Sequence, residues 1–123
     1  MLQNRCMTPE ELTAFLADLN GSEETYPFGP ETRVHKVAGK IFAIDAPDSP
    51  APTITLKALP ENVPRLIASV DGIAPGYHMS KRHWVTVSLD GRVPADHVCE
   101  LISESHAIVV QALPKRIRIG LEG

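Results

Sequence analysis

The apolar positions of this chain fall into readable periods. In TPEELTAFLADLNG, from Thr8 to Gly21, Leu12, Phe15, Leu16 and Leu19 keep the spacing of one buried helical stripe. Thr8 is placed as N-cap, Pro9 at the first helical position, and Glu11 to close a capping box. Asn20-Gly21 supplies the stop. The next stretch, SEETYPFGPE, has no such period. Its prolines Pro27 and Pro30 and the intervening Gly29 predict a structured loop, with Tyr26 and Phe28 pinning it to the core.

Strand patterns follow. RVHKV and KIFAI flank Ala38-Gly39 and read as a hairpin. DAPDSPAP carries too many prolines to continue a strand and reads as a loop. TITLK alternates cleanly, with Ile54 and Leu56 inward and Thr53, Thr55 and Lys57 outward. LPENVPRLIASV predicts a short helix with Leu66, Ile67 and Val70 on its buried side. DGIAPGYHMSKRH is a long turn-rich connection, and WVTVSL is a strand with Val85, Val87 and Leu89 inward and Trp84, Thr86 and Ser88 outward. VPADHVCELISESHAIVVQAL keeps a helical period through Val98, Leu101, Ile102, Ser105, Ile108 and Val109, in two helical pieces after Pro94.

The order is helix, three strands, helix, strand, helix. Hairpins and alternation predict an α+β two-layer sandwich: a mostly antiparallel sheet with helices packed on one face and the other face open. At 123 residues the chain is expected to be a single domain, 1–123, with a core large enough to need no metal or disulfide. No stretch approaches the roughly 20 apolar residues of a membrane span. The N-terminus MLQNRCMTPEEL lacks the apolar region of a signal peptide. Cys6 and Cys99 form no metal or redox spacing, and Cys99 is expected in the core. A monomeric cytoplasmic protein is the expectation.

The formal charge of −3 opposes strong, sequence-blind nucleic-acid binding. It is unevenly spread. Glu10, Glu11, Asp18, Glu23, Glu24 and Glu31 crowd the first quarter of the chain, while Arg33, Lys36, Lys40, Lys81, Arg82, Arg92, Lys115, Arg116 and Arg118 come later. A basic face therefore remains open to the fold.

Five segments, YPFGP, GKIFAI, LK with a proline soon after, PGYHMSKRHWVTVSLDG and LISESHAIVV followed by LPK, occur here in the order found in the MmcQ/YjbR family. The chain resembles that family over about residues 10–118, most specifically from Gly76 to Gly91. The resemblance implies a compact fold of helices and strands similar to frataxin's. Proteins of this family are commonly called DNA-binding on structural analogy, and no established catalytic residue comes with it. One departure is local: Ser105-His106 stands where the family has Ser-Tyr.

The chemistry-bearing stretch is PGYHMSKRHW. Lys81 and Arg82 are candidates to pair with phosphates, and Tyr77 and Trp84 to stack on bases. His78 and His83 are candidate donors to phosphate, and Lys57 extends the surface from the neighbouring strand. The competing reading is an ordered turn that feeds a strand. His78, His83 and His35 lack the convergent spacing of a zinc site, so neither metal nor cofactor is expected. Ser80 beside two histidines does not make a nucleophile, and no hydrolase elbow, phosphate loop or dinucleotide fingerprint is present. The expectation is a non-enzymatic module that binds nucleic acid, DNA foremost, or alternatively a protein or small ligand, through the open sheet face and the 76–84 loop.

Overall fold

The computed structural model describes residues 7–76 and 79–122, so Cys6, Tyr77 and His78 lie outside the described residues. Helix α1 spans Pro9–Ala17. Its capping box forms as the sequence requires: the Glu11 amide donates to Thr8 Oγ1 at 3.1 Å, and the Thr8 amide donates to Glu11 Oε1 at 2.9 Å. Leu12 and Leu16 are its buried residues, and Phe15 and Leu19 pack at the margin of the core.

Six strands follow: β1 (Ser22–Thr25), β2 (Arg33–Val37), β3 (Lys40–Asp45), β4 (Thr53–Lys57), β5 (Ile73–Pro75) and β6 (Trp84–Ser88), with helix α2 (Val63–Ser69) between β4 and β5. They form one sheet in the order β1-β2-β3-β4-β6-β5, antiparallel at every pairing. Helix α3 (Ala95–Gln111) crosses β3 and β4, α1 lies by β1, and α2 by β5 and β6. This is the expected α+β architecture. Ile54, Leu56, Val85 and Val87 all lie in the core beneath the helices. Burying each such side chain stabilises the fold by roughly 1.5–3 kcal/mol.

Five sequence expectations are corrected. Ser22–Thr25 is an edge strand rather than the start of a loop, and Ile73–Pro75 is the opposite edge strand. Tyr26 and Phe28 do not pin the intervening loop: they are 47% and 72% exposed. The longest helix is one continuous piece, and a further helix, α4 (Lys115–Glu122), follows Pro114. Leu121 of α4 packs against the core beside Gly21, where a Cβ would meet its Cδ2 at 2.5 Å. Cys99 is half-buried rather than in the core.

The hairpin between β2 and β3 carries a bulge that shapes the rest of the molecule. Ala38 and Gly39 both have positive φ, 50° and 81°, the conformation of a tight two-residue hairpin turn. Val37 faces Lys40 and Lys36 faces Ile41, but His35 faces Ala43. Phe42 is thus an extra residue, and Phe42 and Ala43 are both fully buried in the core. Beyond the bulge β3 parts from β4, whose last shared pair is Ala43 with Leu56. Ser105 of α3 fills the opening. Its hydroxyl accepts from the Lys57 amide at 2.9 Å and donates to the Phe42 carbonyl at 2.6 Å.

Candidate functional site

The loop that carries most of the basic candidates is fixed by a close backbone approach. The Gly76 amide donates to the Trp84 carbonyl at 3.0 Å. A Cβ on Gly76 would stand 2.5 Å from Trp84 Cβ and 2.9 Å from its carbonyl carbon, so only glycine fits. Pro75 faces Val85 in the last pair of the β5–β6 ladder. At the other end of the loop the His83 amide donates to the Ser80 carbonyl, and the His83 carbonyl accepts from the Ala58 amide at 2.9 Å. His83 itself is half-buried.

Lys81 and Arg82 are exposed. The Lys81 ammonium donates to the Gly76 carbonyl at 3.2 Å, which ties its stem along the loop. Lys57, at the end of β4, faces Trp84 across the ladder and holds its ammonium 5.8 Å from the ring centroid. That is a cation–π distance. Trp84 is oriented away from the helices by strand alternation, yet it is only 8% exposed. The expected open aromatic is therefore a covered one, with little free face for a base. The face opposite the helices is not bare: Val34 and Thr55 are also buried, and the Thr55 and Thr86 hydroxyls meet at 3.0 Å. Among the described residues, Lys57, Lys81 and Arg82 form no ion pair.

Arg92, by contrast, is neutralised. Arg92 pairs with Asp90 at 2.9 Å and with Asp71 at 3.5 Å, and donates to Ser88 Oγ. The Arg92 amide and guanidinium hold the Asp90 carboxyl below the ordinary carboxylate range.

A second constellation, under α1, escaped the sequence reading. Arg33 Nε and Nη2 donate to the two oxygens of Asp45 at 3.1 and 2.7 Å, and Arg33 Nη1 donates to Thr13 Oγ1 at 2.7 Å. His35 Nε2 lies 2.9 Å from Asp45 Oδ1. Glu24 stands 3.7 Å from the guanidinium and accepts a hydrogen bond from the Tyr26 hydroxyl. Burial alone would push the Asp45 carboxyl up, but the hydrogen bonds of His35 and Arg33 and their charges hold it below the ordinary range. Burial likewise works against the Arg33 charge, and Asp45 outweighs it, so the guanidinium is held above its ordinary value. An ionised carboxylate is acceptor-only, so His35 Nε2 carries the proton it shares. Asp45 has no exposed side-chain surface and accepts three hydrogen bonds, which makes the cluster a clamp between β2 and β3.

His35 is thus committed to Asp45, far along the sheet from the 76–84 loop. Among the described residues no group of three or more His, Cys, Asp or Glu is arranged to hold a metal ion. Also among them, no helix is long and apolar enough to cross a membrane.

Two clefts of similar size flank this sheet. One, of about 550 Å³, opens over Arg33 and has Glu10, Glu31 and Asp48 on its walls. The other, of about 570 Å³, lies at the end of the sheet where β3 and β4 part, and its charged lining residues are Lys40 and Lys57.

Known proteins share both sequence and shape with this chain. The uncharacterized protein YbdF of Escherichia coli O157:H7 is 37% identical over 94 residues, 76% of this chain and 77% of its own. The uncharacterized protein YjbR of Escherichia coli K12 is 30% identical over 112 residues, 91% of this chain and 95% of its own. A crystal structure of a Deinococcus radiodurans protein with the DUF419 domain superposes with a TM-score of 0.89 at 36% identity, covering 98% of this chain and 92% of that one. A Pseudomonas syringae crystal structure gives 0.71 at 29% identity, over 80% and 96%. The family model YjbR matches residues 17–108, and with these relatives it places the chain in the YjbR family.

Proposed function

We propose that this protein is a non-enzymatic module that binds nucleic acid, DNA foremost, by phosphate contacts along a strip running from Lys57 to Arg82. The observation that carries the reading is the continuity of the strip. Lys57 sits over Trp84, Trp84 abuts Gly76, and Gly76 holds Lys81, with Arg82 the next residue. Its three cations have no carboxylate partner among the described residues, unlike Arg33 and Arg92. Unneutralised cations that line up are what a phosphate backbone meets.

The burial of Trp84 shapes the mode. Stacking on unpaired bases needs a free aromatic face, and Trp84 offers little of one. Binding led by phosphates is blind to sequence, falls with salt and has no built-in preference for single strands. The net charge of −3 keeps it weak.

Fluorescence anisotropy with labelled single- and double-stranded oligonucleotides across a salt series tests this. The expected result is weak binding to both at low salt. Lys81→Ala with Arg82→Ala should leave melting unchanged and flatten the salt slope by about one unit per lost phosphate contact. If the wild-type chain binds neither oligonucleotide at low salt, the reading fails and a protein or small ligand takes its place.

A further inference from the structure

We infer that the cleft where β3 parts from β4 is a binding site for a small organic anion: a carboxylate or phosphate headgroup on an apolar body. Its apolar walls come from four parts of the fold: Ile41 on β3, Met79 of the loop before β6, Trp84 on β6, and Val109 of α3 with Leu113 just beyond its end. Its charged lining is Lys40 and Lys57. The bulge at Phe42 and the Ser105 hydroxyl create the space by holding the two strands apart.

Three features select the ligand. The first is charge. Lys40 and Lys57 have no carboxylate partner among the described residues, and no acidic residue of that set lines the cleft. Lys57 is half-buried beside Trp84 and loses part of its hydration there, while Lys40 is exposed, and a ligand anion pairs with both. The second is size. About 570 Å³ is in the range of small-molecule sites, roughly 300–1,000 Å³, and far exceeds a bare inorganic ion. The third is the contrast with the cleft over Arg33. That one has nearly the same volume, but Glu10, Glu31 and Asp48 on its walls repel an anion.

The site shares Lys57 and Trp84 with the proposed phosphate strip, but Lys40, Ile41, Val109 and Leu113 stand outside that strip. It does not depend on polymer binding, and its test contains no nucleic acid.

The chain has a single tryptophan, so the Trp84 indole N–H gives one cross-peak in a nitrogen–proton correlation spectrum and reports directly on the cleft. The probes are naphthoate, phenyl phosphate, neutral naphthamide and inorganic phosphate. The expected result is saturable movement of the Trp84 indole, Ile41 and Leu113 signals with naphthoate, phenyl phosphate or both, the stronger of the two identifying the headgroup. Naphthamide and inorganic phosphate should bind about tenfold more weakly, since each lacks one of the two recognised parts. Lys40→Ala should weaken the anion by about tenfold, and Lys57→Met, which keeps an apolar stem over Trp84, should do the same with the melting temperature retained. Equal binding of naphthamide, equal binding of inorganic phosphate, or the absence of saturable movement in the wild-type chain would each overturn the assignment. So would anion affinity unchanged in both lysine variants.

Discussion

Single side chains set the stability of the β2–β3 hairpin. Asp45 is the clearest case. Its pKa is lower in the folded chain than in the unfolded one, so unfolding takes up a proton as pH falls. Its contribution is full above the ordinary carboxylate range and is lost as pH falls through that range toward the folded value. Denaturant melts of the wild type should therefore lose stability as pH falls below about 5, and Asp45→Asn should flatten that limb. At neutral pH Asp45→Ala removes the close partner of the buried Arg33 and leaves it only Glu24 at 3.7 Å, and it should cost up to about 3–5 kcal/mol. A second residue works the other way. Ala38 has a φ of 50°, which a Cβ disfavours and asparagine tolerates. Ala38→Asn should raise stability by up to about 1 kcal/mol, read from the same melts.

The Asp45 cluster was hidden in the sequence for a definite reason. A regular hairpin around Ala38-Gly39 would set Arg33 against Ile44, an apolar partner. The extra residue at Phe42 moves Asp45 into that place, opposite Arg33 and on the same sheet face as His35. Nothing in the period of KIFAI marks the bulge. The one-residue slip of the register is what brings Arg33, His35 and Asp45 together.

At the scale of elements, legibility follows the amount of apolar surface each one buries. Helix α1 declares both its cap and its stripe, and TITLK and WVTVSL alternate against a deep core. The edge strands do not. SEET has no apolar residue, and IAP is three residues long and ends in proline, so neither carries a period. Their pairing is decided by the neighbours β2 and β6. Ser105 shows how an element is locked in place. It was legible as a position on the helical period, but its role, bridging the parted strands, depends on the bulge. Ser105→Ala should leave the Lys57 amide and the Phe42 carbonyl without their shared partner, costing about 1–3 kcal/mol. Hydrogen exchange at the Lys57 amide should accelerate by more than the global loss of stability explains, whereas exchange tracking global stability alone would place the bridge elsewhere.

For the whole molecule, the fold class and the family were both present in the sequence, and the candidate site was present only in part. Lys57 was expected on one surface with Lys81 and Arg82, and strand register puts Lys57 opposite Trp84, the residue that ends their loop. The exposure of Trp84 was misread, since strand alternation gives the side a residue faces and says nothing of what covers it. Lys40 was missed as a neighbour of Lys57 because the two belong to the ends of β3 and β4, which meet only through the topology of the sheet.

The strip from Lys57 to Arg82 is the surface proposed to meet phosphates. A titration of the isotope-labelled protein with a short DNA duplex at low salt, followed amide by amide, tests it most directly. Signals of Lys57, Gly76, Lys81, Arg82 and His83 should move first and return as salt is added. Signals that stay fixed throughout, or that move only along the acidic α1 and β1, would contradict it.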